Sequence, residues 1–255
     1  MSDTNKLASE IMEYLDCPCQ YFEINGSEKE QIMARYEEIA KRGEREGFVP
    51  VIVGVDDTTL WECLQMNADE AGQGTSYSKE NVASYRKKML ETLVEDGKEI
   101  LEQRVEQIKE WMAEYGEDMD DAYEDVLAEE GDLPGEIAGS DVFWGYKYSS
   151  GIIVAEIPTK NPWEIFAWLP FGGWNECPDT PELMAISKYW YEKHGAKPAV
   201  VTHDVLEYRL PKPVDKEAAL DLAMEQSGFC PDIEESPAVV AAALAESTVW
   251  SFWWD

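Results

Sequence analysis

The sequence lacks long apolar runs and has few basic residues, and each shortage excludes a class of function. No window approaches the roughly 18 consecutive apolar residues of a membrane-spanning helix. Lys and Arg number 21 against 53 Asp and Glu, which gives a net charge of −32 at pH 7. Nucleic acids and anionic membrane surfaces would repel such a chain, so we expect neither as a partner.

Cysteine and histidine are also scarce. Five cysteines, an odd number in 255 residues, fit a reducing compartment better than a disulfide framework. The first residues, MSDTNKLASEIMEYLDC, form a charged amphipathic pattern without the basic and apolar regions of a signal peptide. We therefore expect a cytoplasmic protein.

Apolar residues, in contrast, make up 44% of the chain, which is enough to form a sizeable core. Helical patterns alternate with apolar runs that are typical of strands, and the last two of these runs meet at His203-Asp204 as a predicted hairpin. The predicted strands are 21–25, 48–55, 151–157, 164–170, 197–202 and 205–210. In the last one, alternation predicts that Glu207 and Arg209 face outward. The chain is therefore predicted to be α/β, with α+β as the alternative, and helices should flank a mixed sheet.

Acidic residues are concentrated in residues 91–136, which hold 18 Asp and Glu against 3 Lys and Arg. Ser78 is predicted to cap a long helix, in which apolar residues recur at three- and four-residue steps up to Tyr115. Beside that stripe, seven glutamates share one predicted face: Glu91, Glu95, Glu99, Glu102, Glu106, Glu110 and Glu114. We predict that this face meets a basic protein partner, and a merely solvated face is the alternative.

The acidic run that follows has the composition of a calcium loop but not its spacing. Asp118 and Asp120 are followed by Ala122, and no glycine stands where an EF-hand needs its sharp turn. The breaker cluster LPGEIAGS (133–140) is a candidate boundary. We therefore predict an N-terminal α/β part that completes the sheet (1–78), an acidic helical insertion (79–135) and a core domain (136–255).

A Cys-Pro-Asp motif occurs twice, at 177–179 and at 230–232, each time shortly before a predicted helix start. Thr180-Pro181 and Ser236-Pro237 supply an N-cap and a first-turn proline, so helix capping explains much of both motifs. The positive end of a helix dipole can also lower a thiol pKa, which makes Cys177 and Cys230 candidate nucleophiles.

The chemistry of these two loops is left open between three alternatives for the cysteines, and Asp179 and Asp232 could instead act as paired acids. A nucleophilic cysteine would need His203 or His194 as its base. A metal site would combine Cys177, Cys230 and His203 with Cys17 and Cys19, but C-x-C is not the usual paired pattern of zinc sites. Packing of both thiols in tight turns is the third alternative. We expect no metal and no cofactor, and the candidate pocket consists of Trp174, Asn175, Cys177, Asp179, Cys230, Asp232 and His203.

Three segments carry a resemblance to a known family. They are GGWNECPDTPELMAISKYWYEKHGAKPAVVTHDVLEYRLPKP, AALDLAMEQSGFCPD and the terminal WSFWWD. Together they resemble the bacterial domain-of-unknown-function family 4253 over about residues 145–255, and residues 48–66 resemble its upstream strand. Residues 79–135 depart from the compact family pattern. The family has no established activity, so the resemblance implies a fold unit without a mechanism.

The sequence therefore predicts a non-catalytic protein-interaction module that uses an acidic surface. A toxin-neutralising or regulatory role fits such a protein by analogy only. The alternative is a small-molecule-binding protein or a hydrolase-like enzyme with its site near the two Cys-Pro-Asp loops.

Overall fold

The computed structural model describes residues 3–24, 29–55, 58–67, 78–115, 140–146, 149–233 and 235–255. Its helices are α1 (Asp3–Leu15), α2 (Lys29–Glu46), α3 (Thr59–Asn67), α4 (Lys79–Glu91), α5 (Gly97–Tyr115), α6 (Thr180–His194), α7 (Lys216–Phe229) and α8 (Pro237–Leu244), with a 3₁₀ helix at Pro162–Ala167. Its strands are β1 (Cys19–Glu23), β2 (Val49–Val55), β3 (Gly151–Ile157), β4 (Lys197–Val201), β5 (Val205–Arg209) and β6 (Val249–Trp253).

The strands form one mixed sheet in the order β1-β3-β2-β4-β5-β6. β2 and β4 run parallel, and the other neighbouring pairs are antiparallel. The predicted hairpin around His203-Asp204 is β4–β5. The mixed sheet with flanking helices confirms the predicted α/β class. No helix in the described ranges is long and apolar enough to cross a membrane.

Apolar side chains cover both faces of the sheet. Along β2, Val51 and Val53 point into the larger core, which the 3₁₀ helix and most of the helices share. Ile52 points the other way, into a smaller core with Tyr36 of α2 and Phe143. Successive strand residues face opposite sides, so two covered faces explain why β2 is a continuous apolar run.

Glu207 lies on the second covered face, and the prediction that it faces solvent was wrong. Its side chain is 0% exposed. It accepts hydrogen bonds from the backbone amides of Trp144 and Gly145, both at 3.0 Å, and from Ser251 Oγ at 2.7 Å. Burial raises the pKa of this carboxyl, and the three donors oppose that rise. Glu207 therefore binds the 144–145 segment to the sheet, and its polarity does not indicate an exposed face.

The predicted strand at 164–170 was also wrong, because this segment contains the 3₁₀ helix. Pro162 stands in its first turn, and Trp168 N donates to Ile165 O at 2.9 Å. Residues 165–171 are all buried. A short buried apolar run is compatible with either a strand or a helical turn. Here Pro162, in the first turn, favours the helical form.

The single long helix predicted from Ser78 to Tyr115 is two helices. Ser78 does cap the first, accepting from Asn81 N at 3.1 Å, but α4 ends at Glu91 with Thr92 in extended conformation. Asp96 then opens α5, its Oδ1 accepting from Lys98 N at 3.0 Å. After this break, α5 packs against α6, and the seven glutamates of the predicted face no longer lie on a single helix.

Some sequence predictions lie outside the described residues. These are the acidic run 117–132 with its calcium comparison, and the boundary at 133–139. The division of the chain at 79 and 135 stays a prediction, although β1 and β2 share one sheet with β3–β6.

Replacing Glu207 with Ala is expected to destabilise the protein by about 2–4 kcal/mol, because the amides of Trp144 and Gly145 lose their carboxylate acceptor. Urea unfolding monitored by tryptophan fluorescence measures this loss. Ser251→Ala is the matched control, since it removes one donor and should cost about 1 kcal/mol. An equal loss in the two variants would show that the carboxylate does not hold the 144–145 segment.

Candidate functional site

The two Cys-Pro-Asp loops meet at Arg104, which projects from α5. Its Nε donates to Gly228 O at 2.9 Å, at the end of α7 just before the second motif. Its Nη2 donates to Glu176 O, just before the first motif. Its Nη1 lies 3.5 Å from Glu182 of α6, and the Arg104 side chain is only 16% exposed. One guanidinium therefore bridges both loops, since its planar fork presents several donors in fixed directions.

A second bridge runs through the segment after β6. Asn175 Nδ2 donates to Asp255 O, and Asp255 N donates to Asp232 Oδ2 at 3.1 Å. Cys230 Sγ donates to Trp253 O at 3.1 Å. Four members of the predicted pocket, namely Asn175, Cys177, Cys230 and Asp232, are thus brought together, but the space between the loops is crossed by protein contacts.

The Gly172-Gly173 pair is required by the turn that carries Trp174. Gly172 and Gly173 have φ of 81° and 78°, a conformation that favours glycine. A Cβ on Gly172 would lie 1.8 Å from Pro178 O, so only glycine fits there. Gly173 N donates to Cys177 O at 3.1 Å and closes the turn. The two glycines therefore fold the loop back on its own motif.

Trp174 forms the outer end of an aromatic cluster beside the loops. Its ring lies 5.6 Å from that of Phe171, which in turn lies 5.8 Å from Trp254. Trp254 also contacts Phe229, at 5.4 Å between centroids. Because Trp174 is half-buried against this cluster, it anchors the loop.

Both motif thiols are buried, Cys177 being 5% and Cys230 0% exposed. Burial raises the pKa of Cys230 to about 12, and it raises that of Cys177 still further above the ordinary value. The positive charge of Arg104 opposes both rises and is outweighed. Both thiols are therefore protonated at neutral pH, which favours the packing alternative over the nucleophilic one.

The acidic members of the motifs have backbone partners. Asp179, and not the predicted Thr180, is the N-cap of α6, because its Oδ1 accepts from Glu182 N at 3.0 Å while Glu182 Oε2 accepts from Asp179 N. The capping box satisfies two amide donors at once. Ser236 is the N-cap of α8 as predicted.

His203 is positioned beside Asp204. Its Nε2 lies 3.3 Å from Asp204 Oδ2. The same carboxylate accepts from Trp253 Nε1 at 2.8 Å, so it joins the β4–β5 turn to β6. Across the described part of the chain, no group of three or more His, Cys, Asp and Glu side chains is arranged to hold a metal ion.

The predicted acidic face is divided by the break between α4 and α5. Glu91 ends α4, Glu95 lies in the connection, and the side chain of Glu114 is outside the described residues. The remaining four, which we call the α5 acidic face, are exposed along one helix: Glu99, Glu102, Glu106 and Glu110. On the opposite side of α5, Leu101 is fully buried.

Sequence reasoning missed the role of Arg104. The residue was visible as a lone arginine three positions after Leu101 and next to Val105, within the apolar stripe. An arginine on the buried side of a helix needs acceptors, and that was the available signal.

A cleft of about 680 Å³ was also not predicted; it lies between β1, β3 and α2 and is lined by Tyr21, Gln31 and Arg35 among others.

Arg104→Ala is expected to lower the free energy of unfolding by about 2–4 kcal/mol, because two backbone carbonyls lose their donor. Arg104→Lys should recover only part of the loss, since an ammonium cannot reproduce the fork. Urea unfolding measures both. Arg35→Ala, which breaks an exposed pair with Glu38 at 2.8 Å, is the control and should cost under about 1 kcal/mol. Equal losses at Arg104 and Arg35 would contradict the bridging role.

Cys177 and Cys230 are expected to resist alkylation by iodoacetamide in the folded protein at about pH 8, because both thiols are buried and protonated. The half-buried Cys63 is the internal reference. Mass spectrometry of peptides sampled over time gives the rate at each residue, and the same reaction in urea gives the unprotected rates. Native rates at Cys177 and Cys230 that match the rate at Cys63 would reopen the nucleophilic alternative.

The comparisons with known proteins bear on the C-terminal part of the chain. No curated protein and no solved structure matches the sequence. A family model matches residues 153–255, which include most of β3, all of β4 to β6 and α6 to α8, and both Cys-Pro-Asp loops. The match confirms, for the C-terminal region, the resemblance predicted from the motifs: residues 153–255 are similar to the family described as domain of unknown function (DUF4253).

Proposed function

We propose that the protein is a non-catalytic binding module whose α5 acidic face meets a basic protein partner. The observation that carries the proposal is that α5 is held against the family domain on one side while four glutamates remain exposed on the other. A charged surface on a fixed helix keeps its geometry between encounters and can steer an oppositely charged partner.

Two close backbone contacts support the fixed position of α5. A Cβ on Gly97 would lie 2.2 Å from Ala185 O of α6, and one on Gly228 would lie 2.7 Å from Val105 Cγ2. Glycine therefore lets α5 approach both α6 and α7 closely. Together with Arg104, these contacts join the acidic helix to the domain that carries both Cys-Pro-Asp loops.

The electrostatics of the α5 acidic face also support a cationic partner. Glu102 is paired with Lys98 at 2.9 Å, and Glu99 accepts from Gln103 at 3.4 Å. The spacing from Glu99 to Glu110 still creates three like-charge neighbour pairs, which together cost about 1 kcal/mol. Basic side chains from a partner would reverse that cost.

The alternative of an enzyme or small-molecule site at the Cys-Pro-Asp loops has less support. Contacts of Arg104 and Asp255 cross the space between the loops, and the two thiols lie under other side chains.

Five free cysteines support the further proposal that the protein acts in the cytoplasm.

Replacing all four glutamates of the α5 acidic face with Gln is expected to abolish capture of a basic protein from native lysate. The wild-type chain should capture it at low salt and release it at high salt, because screening weakens surface attraction. Quantitative mass spectrometry of the eluates identifies the partner. The matched control replaces four other exposed glutamates with Gln, namely Glu23, Glu192, Glu235 and Glu246, and so removes the same charge elsewhere.

The two quadruple variants separate a local face from net charge. Equal loss of capture in both would mean that overall charge is responsible, and the absence of any salt-sensitive basic partner would overturn the proposal. The α5 variant should keep the stability of the wild type to within about 1 kcal/mol at low salt, since the loss of three repulsive pairs is offset by the loss of the Lys98–Glu102 pair and of the Glu99 charge in the first turn of α5. Lost binding without lost stability is the pattern expected of a functional surface.

A further inference from the structure

Cys17 and Cys19 form a close thiol pair at the edge of the sheet. Their Sγ atoms are 3.8 Å apart, and both residues are half-buried. They lie far along the sheet order from the Cys-Pro-Asp loops, because β1 is at one edge and β6 at the other. The pair is therefore independent of both the loops and the α5 acidic face.

The backbone holds the two thiols on the same side of the chain. Asp16, between α1 and the pair, has φ of 49°, which turns the chain sharply before Cys17. Pro18 has a fixed φ, and its carbonyl accepts from Glu156 N at 2.8 Å. Cys19 then enters β1 opposite Ala155 of β3. Both cysteines are thus positioned by contacts that do not involve their sulfur atoms.

The two sulfur atoms share one hydrogen bond, in which either thiol can donate. The hydrogen bond with Cys17 lowers the pKa of Cys19, with burial and Glu156 opposing. The pKa of Cys17 is strongly raised, first by that hydrogen bond, then by burial and by the negative charge of Cys19; Arg86 opposes the rise. Arg86 is held near by Tyr14 O at 3.1 Å and by the Trp168 ring at 4.9 Å.

We infer that Cys17 and Cys19 are a redox-active dithiol, which exchanges with small disulfides such as glutathione disulfide and closes to an intramolecular disulfide. To form that bond, the sulfur atoms have to approach from 3.8 Å to about 2.05 Å. The cross-link would close a ring of only three residues and so add little to stability. A reversible redox role therefore accounts for the pair better than a structural one.

The exchange proceeds in two balanced steps. The Cys19 thiolate attacks one sulfur of glutathione disulfide, so a Cys19–glutathione bond forms, the reagent's S–S bond breaks, and one glutathione leaves as thiolate and takes up a proton. Cys17 then gives its proton to solvent and attacks Cys19 Sγ, which releases the second glutathione. The second glutathione also leaves as thiolate and takes up a proton. Counting the proton that Cys19 gives to solvent when its thiolate forms, the protein loses two electrons and two protons, and glutathione disulfide becomes two glutathione molecules.

The order of the two steps follows from the contacts of the pair. While Cys19 is a thiolate, its charge and its accepted hydrogen bond keep the proton on Cys17. Once Cys19 is capped by glutathione, both effects vanish, and the positive charge of Arg86 remains to favour the Cys17 thiolate. Cys19 is therefore the attacking residue and Cys17 the resolving one.

The full-length chain is treated with glutathione disulfide, and its cysteine peptides are analysed by mass spectrometry without reduction. The wild type is expected to lose two hydrogen atoms in the peptide that contains Cys17 and Cys19. Cys17→Ser should instead accumulate one glutathionyl group on Cys19, because no resolving thiol remains. In Cys19→Ser, glutathione disulfide should modify Cys17 at least about tenfold more slowly than it modifies Cys19 in Cys17→Ser.

Cys63→Ser is the matched control, since it removes another half-buried thiol and should not alter the reaction of the pair. Circular dichroism shows whether each variant is folded. Reduction of the oxidised wild type by dithiothreitol should restore the free thiols. A wild type that stays reduced, that carries separate glutathionyl groups on Cys17 and Cys19, or in which Cys17 reacts before Cys19 would overturn the inference.

Discussion

The three contacts of the Arg104 guanidinium are the constraint on which the end of the molecule with both Cys-Pro-Asp loops depends. They fix the loop before Cys177 and the end of the helix before Cys230, and they attach α5 to both. A half-buried arginine is costly unless its donors find acceptors, so the loops and the helix stabilise one another. The same interaction leaves the opposite side of α5, with its four glutamates, facing solvent.

The sequence predicted most of the sheet because strand signals are local. Continuous β-branched runs predicted β2 and β3, and the hairpin β4–β5 followed from a polar pair between two apolar runs. Predictions were wrong where a second layer decides the structure. Glu207 is buried because the 144–145 segment covers its face, and residues 164–170 turn into a 3₁₀ helix at a proline within the core.

The sequence predicted the two loops of the candidate site but not the contacts that join them. The repeated motif identified both loops and a helix start after the first, although the cap is Asp179 and not the predicted Thr180. Whether the loops meet depends on Arg104, which is 124 residues from Gly228 and 72 from Glu176, and no local pattern encodes such contacts. The same limit applies to Cys17 and Cys19, whose spacing shows proximity but not the turn at Asp16 that directs both thiols.

The central claim is that α5 is part of the folded core and holds the two loops together. Native-state hydrogen exchange of the α5 amides, compared with those of α6, tests it most directly, because exchange measures the free energy of local opening. We expect the amides from Leu101 to Ile108 to open with the same free energy as those of α6. An α5 that opens several kcal/mol more easily, independently of α6, would contradict the claim.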